Sequence, residues 1–179
     1  MDVRNVKCHF KIEVSYLRVF IKQLDNTERK TKCKPTLCVI RLAKFVYVCF
    51  YNGCVNITGI RNLNGCESAV EYFSHELNLD KKRFGCVKID NITATYKLHR
   101  YKIDLHTLCQ LARRSTTVVN TKYNRELFPC AYLKTRFGTI IWSKSNAVSC
   151  VGMNSADDLK KLSTIIQQLS QNGVLRLPT

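Results

Sequence analysis

The chain has 179 residues, with 29 Lys and Arg against 13 Asp and Glu, which gives a formal net charge of +16. This length allows one domain or two small fused domains, and a hydrophobic content of 45% is enough for a packed core. The charge predicts a polyanionic partner, most simply nucleic acid; the alternative is a generically soluble basic surface. The charged N-terminus lacks a signal-peptide run, and no 18-residue apolar window exists, so we expect no membrane segment.

The ten cysteines are spread along the chain, and most stand singly within apolar segments. Buried free cysteine behaves as a small hydrophobic residue, and without a signal sequence a reducing compartment is expected. There is no C-x-x-C pair, only C-x4-C at 33/38 and 49/54, which is weak spacing for zinc. We therefore expect core thiols, no structural metal and no cofactor.

Hydrophobic periodicity predicts a strand and then a helix at the start of the chain. Residues 3–14 alternate between apolar and polar, as in a half-buried strand. From Ser15 the apolar residues, from Leu17 to Leu24, recur at helical spacing, and Ser15 is a suitable N-cap. Residues 25–34 are polar and predict a connection.

Three strands and a second helix are predicted next. The strands are expected at about 36–42, 45–51 and 54–58. Asn52-Gly53 between the last two is a strong hairpin signal. After Gly59, apolar residues from Ala69 to Leu77 indicate a helix.

The second half repeats this order. Residues 87–98 predict a strand, Asp104 caps a helix, and residues 113–125 read as a long basic loop. Three further strands lead to Gly152, and Ser155 opens a final helix whose first-turn acidic residues suit the helix dipole.

The two halves are copies of one unit. ELFPCAYLKTRFGTIIWSKSNAVSCVG overlays CKPTLCVIRLAKFVYVCFYNGCVNITG at an offset of 93, and IDNITATY overlays VRNVKCHF at an offset of 86. The later copy therefore carries about seven extra residues, expected within 113–124. We predict repeats at 1–85 and 86–179, each with helices on one face of an antiparallel sheet.

Such a sheet leaves its other face without helices. Strand alternation puts polar groups and bulky apolar groups together on this face. Because a face that contacts only water does not need an exposed Phe, this composition indicates a binding surface. The side chains predicted there are Asn5, Lys7, Val48, Phe50, Asn56 and Thr58 in the first copy, and Asn91, Thr93, Thr95, Ser149 and Val151 in the second, with Phe128 at the rim.

These segments resemble the TATA-box-binding protein (TBP) family over residues 3–170. RNV and DNI resemble its paired Q-N-[IVM] segments, ELFP its E-L-F-P-G, and CFYNGCVNITG its I-F-x-S-G-K-x-V-x-T-G hairpin. The resemblance implies an α+β saddle: two pseudo-symmetric repeats forming one curved antiparallel sheet, about five strands per half, with four helices on the convex face. It also implies a general transcription initiation factor, nuclear or in another intracellular transcription compartment, that docks its concave sheet on the minor groove of double-stranded DNA.

The resemblance implies roles for single residues. Asn5 and Asn91 match the central asparagines, which hydrogen-bond groove acceptors. Phe50 matches the inner wedge of the first copy and Phe128 the outer wedge of the second. The remaining matches are Thr58 for the groove-facing threonine, Arg41 and Lys134 for basic strand residues, and Glu126 for the contact with an initiation factor B-like protein that helps recruit RNA polymerase.

The chain departs from the family pattern at several wedge and groove positions. Pro35 or Thr36 stands where the first copy should have an outer Phe, so we expect any bend of the DNA to be asymmetric. At the position of the second copy that corresponds to Phe50, the alignment allows Ser143 or Trp142. A shift of one residue in the alignment moves the side chain to the opposite face of the sheet. Polar or exchanged residues replace the family's groove residues at Lys7, Asn56, Thr93, Ser149 and Val151.

The sequence also bears on two other classes of function. An enzyme is not expected, because the sequence has no Gly-rich phosphate loop, nucleophile elbow or paired carboxylate motif, and the four histidines form no evident set. A protein-interaction adaptor, derived from the family and with weak or no TATA-specific bending, is the alternative that the missing wedge favours.

Overall fold

A computed structural model describes residues 1–17, 31–34, 37–98, 102–172 and 174–175. The chain divides into two compact units. We call them the first-copy unit, Asn5–Asp90, and the second-copy unit, which combines Met1–Arg4 with Asn91–Thr179.

The first-copy unit is built on five antiparallel strands in the order β2-β3-β4-β5-β1. They are β1 (Asp2–Lys11), β2 (Thr31–Lys34), β3 (Leu37–Leu42), β4 (Phe45–Phe50) and β5 (Cys54–Ile60).

The second-copy unit has five strands in the corresponding order, β8-β9-β10-β11-β6. They are β6 (Lys88–Lys97), β8 (Val118–Lys122), β9 (Cys130–Thr135), β10 (Thr139–Ser143) and β11 (Ala147–Met153). A separate two-stranded sheet pairs β7 (Lys102–Ile103) with β12 (Val174–Leu175).

Burial repeats along with the strand order. In β3 and in β9 every second side chain is buried, and the two strands show the same pattern position by position. β1 and β6 likewise match from their exposed starts through Val6 and Ile92, each of which is fully buried. The two units therefore share their strand order and the pattern of side chains that these strands bury.

Helix α1 (Gly65–Glu76) covers the core face of the first-copy unit. Its buried residues recur at helical spacing, and the Phe73 ring packs 4.7 Å from Tyr47 and 5.7 Å from Phe10 between centroids. The Tyr47 hydroxyl donates to the Ala69 carbonyl at 2.8 Å, so the one polar group of this aromatic cluster is hydrogen-bonded. A short 3-10 helix, Lys81–Arg83, follows.

Helices α2 (Leu105–Arg114) and α3 (Ala156–Asn172) belong to the second-copy unit. The Asp104 carboxylate accepts from the Thr107 backbone N–H at 2.8 Å, which confirms it as the cap of α2 and lowers its pKa. The Ser155 hydroxyl accepts from the Asp158 N–H at 3.1 Å and opens α3 as predicted. None of the helices in the described part of the chain is long and apolar enough to cross a membrane.

Two polar segments predicted as connections contain strands. β2 lies within 25–34, and β8 lies within the predicted loop 113–125. Both are outer strands of their units, and the side chains of β8 are half-buried or exposed throughout, so the alternation that marks a strand is missing. Edge strands need little apolar surface, which is why periodicity missed them.

The N-terminal elements also differ in detail from the prediction. β1 ends at Lys11, although a strand was expected over 3–14, and Ile12 makes an isolated bridge with Phe84. Residues 14–17 are helical, so Ser15 lies inside the turn and does not precede it as a cap. The rest of the predicted helix, through Leu24, lies outside the described residues.

Nine cysteines lie among the described side chains, and none of these nine forms a disulfide. Burial raises the pKa of the Cys150 thiol to about 12 and raises that of Cys8 further. These two thiols are therefore protonated and inert at neutral pH, as expected for core residues. Among the described residues, no three His, Cys, Asp or Glu side chains come together as a metal site.

Candidate nucleic-acid interface

Each unit has a sheet face that carries the half-buried side chains alternating with its core; we call it the open face. In the first-copy unit the predicted residues lie there, because each adjoins at least one buried residue along its strand and alternates with the core side chains. They are Asn5, Lys7, Arg41, Val48, Phe50, Asn56 and Thr58.

The open face of the second-copy unit carries the corresponding set. Its strands alternate in the same way, with Ile92, Ala94, Ile140, Val148 and Cys150 buried on the other side. The side chains on the open face include Asn91, Thr93, Thr95, Lys134, Ser143, Ser149 and Val151.

Asn5 stands opposite a β-bulge in the first-copy unit. β1 and β5 pair Val6 with Ile60 and Cys8 with Ile57, so β5 has one extra residue between these pairs. Gly59 takes up the bulge with φ +91°, a left-handed value that favours glycine. Its N–H is directed to the Asn5 Oδ1, which accepts at 3.1 Å.

Asn91 makes the same arrangement in the second-copy unit. β6 and β11 pair Ala94 with Cys150 and Ile92 with Met153, which again leaves one extra residue. Gly152 has φ +82°, and its N–H donates to Asn91 Oδ1 at 2.7 Å. The Asn91 Nδ2 lies 3.4 Å from the Thr93 hydroxyl oxygen.

The bulge therefore orients both carboxamides. Because the glycine N–H needs an acceptor, the amide oxygen turns toward the bulge. The NH2 group is then the donor that each side chain presents on its other branch. An NH2 group on an open face can donate to the minor-groove acceptors that all A·T pairs offer. Sequence analysis placed both asparagines but missed the glycines' part in orienting them, although Gly59 and Gly152 also stand at matched positions.

Phe50 and Ser143 occupy the same place in the two copies. Phe50 is half-buried opposite Leu37, and Ser143 lies opposite Cys130 at the end of β10. The Ser143 hydroxyl accepts from the Ala147 N–H at 3.1 Å and lies 2.8 Å from the Ser145 hydroxyl. The structure thus puts a serine on the open face and the neighbouring Trp142, at 0% exposure, in the core.

The fluorescence of the single tryptophan reports this placement. We expect iodide and added duplex DNA to leave the emission of Trp142 nearly unchanged, since neither a quencher nor a base can reach a fully buried indole. The measurement is a fluorescence titration of the folded chain, with urea-unfolded protein as the quenchable control. Strong quenching by DNA would place Trp142 on the open face and contradict the register of β10.

Phe128 lies in the segment before β9, where 47% of its surface is exposed. Its N–H donates to the Asn124 carbonyl at 3.0 Å, and its ring centroid is 5.7 Å from that of Tyr132. Glu126 and Leu127 are exposed beside it, Leu127 at 81%. This corner therefore offers an accessible aromatic ring held by local contacts. Pro35 and Thr36, which stand at the matching place in the first copy, lie outside the described residues.

Arg41 and Lys134 supply exposed charge at matched places. Arg41 pairs with Val46 across the β3–β4 ladder, and Lys134 pairs with Thr139 across β9–β10. Both are the exposed members of otherwise alternating strands, and both project from the open faces. They are suited to hold phosphates beside a groove.

Charged side chains meet β1 and β6 at two more matched places that sequence analysis did not single out. In the first-copy unit the His9 Nδ1 lies 2.6 Å from Asp90 Oδ1. In the second-copy unit Arg4 Nε donates to the Thr95 hydroxyl at 2.7 Å. At the offset of 86, Thr95 corresponds to His9 and Asp90 to Arg4, so equivalent places carry opposite charge. No local sequence signal indicates this pairing.

Comparison with known proteins supports the fold. Neither a protein-family model nor a curated protein sequence matches the chain. The solved structure of Methanococcus jannaschii TBP is similar to it, with a TM-score of 0.72 and 22% identity over 95% of this chain and 97% of that one. At this identity the likeness shows the fold alone, and it confirms the predicted class, an α+β fold of the TBP type.

Proposed function

We propose that this chain is a DNA-binding transcription initiation factor of the TBP type, acting in the nucleus or another intracellular transcription compartment. The observation that carries the proposal is the recurrence of one arrangement, an asparagine oriented by a bulge glycine, at the same place on the open face of each unit. The N–H of each bulge glycine requires only an acceptor, so the bulge by itself does not explain why both units have an asparagine, which also carries an NH2 donor. The TBP fold is compatible with this function.

In the proposed mechanism each open face lies against a stretch of minor groove. The Asn5 and Asn91 NH2 groups donate to base acceptors, while Lys7, Asn56, Thr58 and Thr93 line the groove with Ser149 and Val151. Phe50 and Phe128 press against base steps and help to unstack them. Arg41 and Lys134 hold phosphates and provide the salt-dependent part of the affinity.

The proposed contact for a protein partner lies in the segment before β9. Glu126 is exposed at the corner that also carries Phe128, and it is the proposed contact for an initiation factor B-like protein. That protein would bring in the RNA polymerase machinery. The proposal involves no catalytic step and no cofactor.

A second candidate is an adaptor that binds proteins and has lost DNA bending. The observation favouring it is the serine at the second inner wedge position, which cannot wedge a base step. An adaptor would bind duplex DNA weakly and with little dependence on salt.

The test is duplex binding across a salt series. For the proposed function, log K should fall linearly with log salt, and Lys134→Ala should weaken binding to all sequences about equally and flatten the slope by about one unit, the contribution of one phosphate contact. Fluorescence anisotropy with random and A·T-rich duplexes measures both effects. Lys160→Ala is the matched control, since this exposed lysine lies on helix α3.

A flat salt dependence with only weak binding would reject the proposed function and leave the adaptor. If Lys160→Ala changed the slope as much as Lys134→Ala, the basic charge would act diffusely and the open face would lose its assigned role.

A further inference from the structure

The two units differ in side-chain bulk at one matched place on their open faces. In the first-copy unit Leu37 pairs with Phe50 across β3–β4. In the second-copy unit, at an offset of 93, Cys130 pairs with Ser143 across β9–β10. Two small side chains therefore replace a leucine and a phenylalanine. The first-copy unit presents an aromatic ring at this place, whereas the second-copy unit leaves space.

Two aromatic rings border the small pair in the second-copy unit. Tyr132 alternates along β9 with the buried residues Ala131 and Leu133, so its ring lies on the open face. The Phe128 ring packs on it with centroids 5.7 Å apart and planes inclined by 32°, which is an offset stack. Because 47% of the Phe128 surface is exposed, a ligand can reach this stack. The first copy has Val39 at the place of Tyr132 and so has no ring there.

A cleft with a volume of about 410 Å³ lies beside these rings, and we call it the corner cleft. Phe128, Cys130 and Tyr132 line it together with Lys122 of β8 and Arg113 of helix α2. Since β8 is the outer strand, the cleft lies at the rim of the open face. Its volume is within the range of clefts that bind small organic ligands.

The charge of the corner cleft is positive. Lys122 is exposed and pairs with Tyr132 across β8–β9. The Arg113 Nε donates to the Thr121 hydroxyl at 3.0 Å, which holds the guanidinium at the cleft. The described residues that line the cleft include these two cations and no carboxylate. The cleft therefore suits a flat ring that carries an anionic group.

A single unpaired nucleotide has this chemistry. Its base offers a flat π-face that stacks on aromatic side chains, and its phosphate is attracted to cations. In a closed duplex the neighbouring bases cover both faces of each base. A base must therefore leave the stack before it can enter the cleft, and leaving costs least at a mismatched or otherwise weakened pair.

We propose that the corner cleft binds one nucleobase that has left the DNA stack, with Phe128 and Tyr132 as the stacking residues and Lys122 beside the phosphate. This rests on the proposed function, because it requires the open face to contact DNA. The second-copy unit holds the displaced base, whereas the first-copy unit presses Phe50 against a step whose bases stay paired. The preferred site therefore has an easily opened pair under the second-copy unit.

The experiment compares an unpaired base with a missing base at the same place. At each position of an A·T duplex in turn, the adenine is replaced by thymine or by an abasic residue, first on one strand and then on the other. Both changes remove the pair and make the duplex easier to bend, but only the T·T mismatch supplies a base to that strand. We expect the mismatched duplex to bind about tenfold tighter than the abasic one at one position or two adjacent ones, the scale of one base stacked on an aromatic side chain. Fluorescence anisotropy at fixed salt measures every pair.

Substitutions at the cleft test the assignment. Tyr132→Ala should abolish the difference between the two duplexes, and Tyr132→Phe should keep it, because the ring stacks and the hydroxyl does not. Cys130→Leu introduces the residue that the first copy has at Leu37, so it should fill the cleft and reduce the difference. Val39→Ala, at the first-copy place that matches Tyr132, is the control and should leave the difference unchanged. Thermal unfolding of each variant verifies that it is folded.

Equal binding of mismatched and abasic duplexes at every position would overturn this inference and leave the proposed function standing, with Phe128 and Tyr132 as a contact within their own unit. A difference that Val39→Ala reduces as much as Tyr132→Ala does would overturn it too. Failure of the wild-type chain to bind any duplex would overturn both and leave the corner cleft to a side chain of a protein partner.

Discussion

Replacing Gly59 by alanine should lower the free energy of unfolding by roughly 3 kcal/mol or more, from a left-handed backbone penalty of about 1–2 kcal/mol and a comparable cost of overpacking. Gly59 has φ +91°, and a Cβ built there would lie 2.3 Å from the Lys44 carbonyl oxygen. That oxygen belongs to backbone, which cannot swing aside as a flexible side chain can. The substitution should also distort the bulge that directs an N–H to Asn5.

Gly152→Ala is the matched control in the second copy. Its φ of +82° imposes a similar backbone penalty, but the nearest atom to a new Cβ is the Gly138 Cα at 3.9 Å. We expect a loss of about 1–2 kcal/mol, from the backbone penalty alone. Urea unfolding of both variants gives the comparison, and equal losses would show that the contact with Lys44 is not the cause.

The repeat explains why most of the fold could be predicted from the sequence. Core-facing residues such as Cys38 and Ala131, or Val55 and Val148, stand at one offset, and each copy confirms the alternation read in the other. The same offset favoured Ser143 over Trp142 as the counterpart of Phe50, and the structure shows Trp142 buried.

The outer strands β2 and β8 were not predicted, and the reason is physical. β8 buries none of its side chains fully and is held by backbone hydrogen bonds to β9, and these leave no periodic trace in the sequence. The turn at residues 51–53, between β4 and β5, also differs from the prediction in its length. The Gly53 N–H donates to the Phe50 carbonyl at 2.9 Å, and β4 ends at Phe50 while β5 begins at Cys54, so three residues separate the strands, one more than the Asn52-Gly53 pair indicated.

Site residues were harder to predict than strands, because their roles depend on partners distant in sequence. Asn5 meets Gly59 54 positions away, and His9 meets Asp90 81 positions away. The resemblance pointed to the asparagines but could not show how their amides are oriented. His9 carried no signal at all, because a lone histidine on a strand has no distinctive spacing.

The substitutions Asn5→Asp and Asn5→Ala should separate the two roles of the asparagine. Aspartate keeps an oxygen for the Gly59 N–H but presents a carboxylate in place of the NH2 donor. Alanine removes both. We therefore expect Asn5→Asp to unfold near the wild-type midpoint, whereas Asn5→Ala loses about 1–3 kcal/mol of stability because a part-buried N–H is left without its acceptor.

The ranking of the two Asn5 variants should reverse when their affinity for DNA is measured. Against the sequence selected from a random pool, Asn5→Ala and Asn91→Ala should each cost about 1–3 kcal/mol, the scale of a lost hydrogen bond at a desolvated contact. Asn5→Asp should bind more weakly still, since its charge faces groove acceptors. On random DNA, held mainly through phosphates, the alanine variants should lose much less.

Paired urea unfolding curves and anisotropy titrations of these variants decide the matter. The bulge in the second copy is the internal check, because the Asn91–Gly152 hydrogen bond is exposed and water can replace it. Asn91→Ala should then lose little stability but as much specific affinity as Asn5→Ala. If stability and affinity instead fall together in every variant, on specific and random DNA alike, the asparagines serve the bulge only and the adaptor function gains.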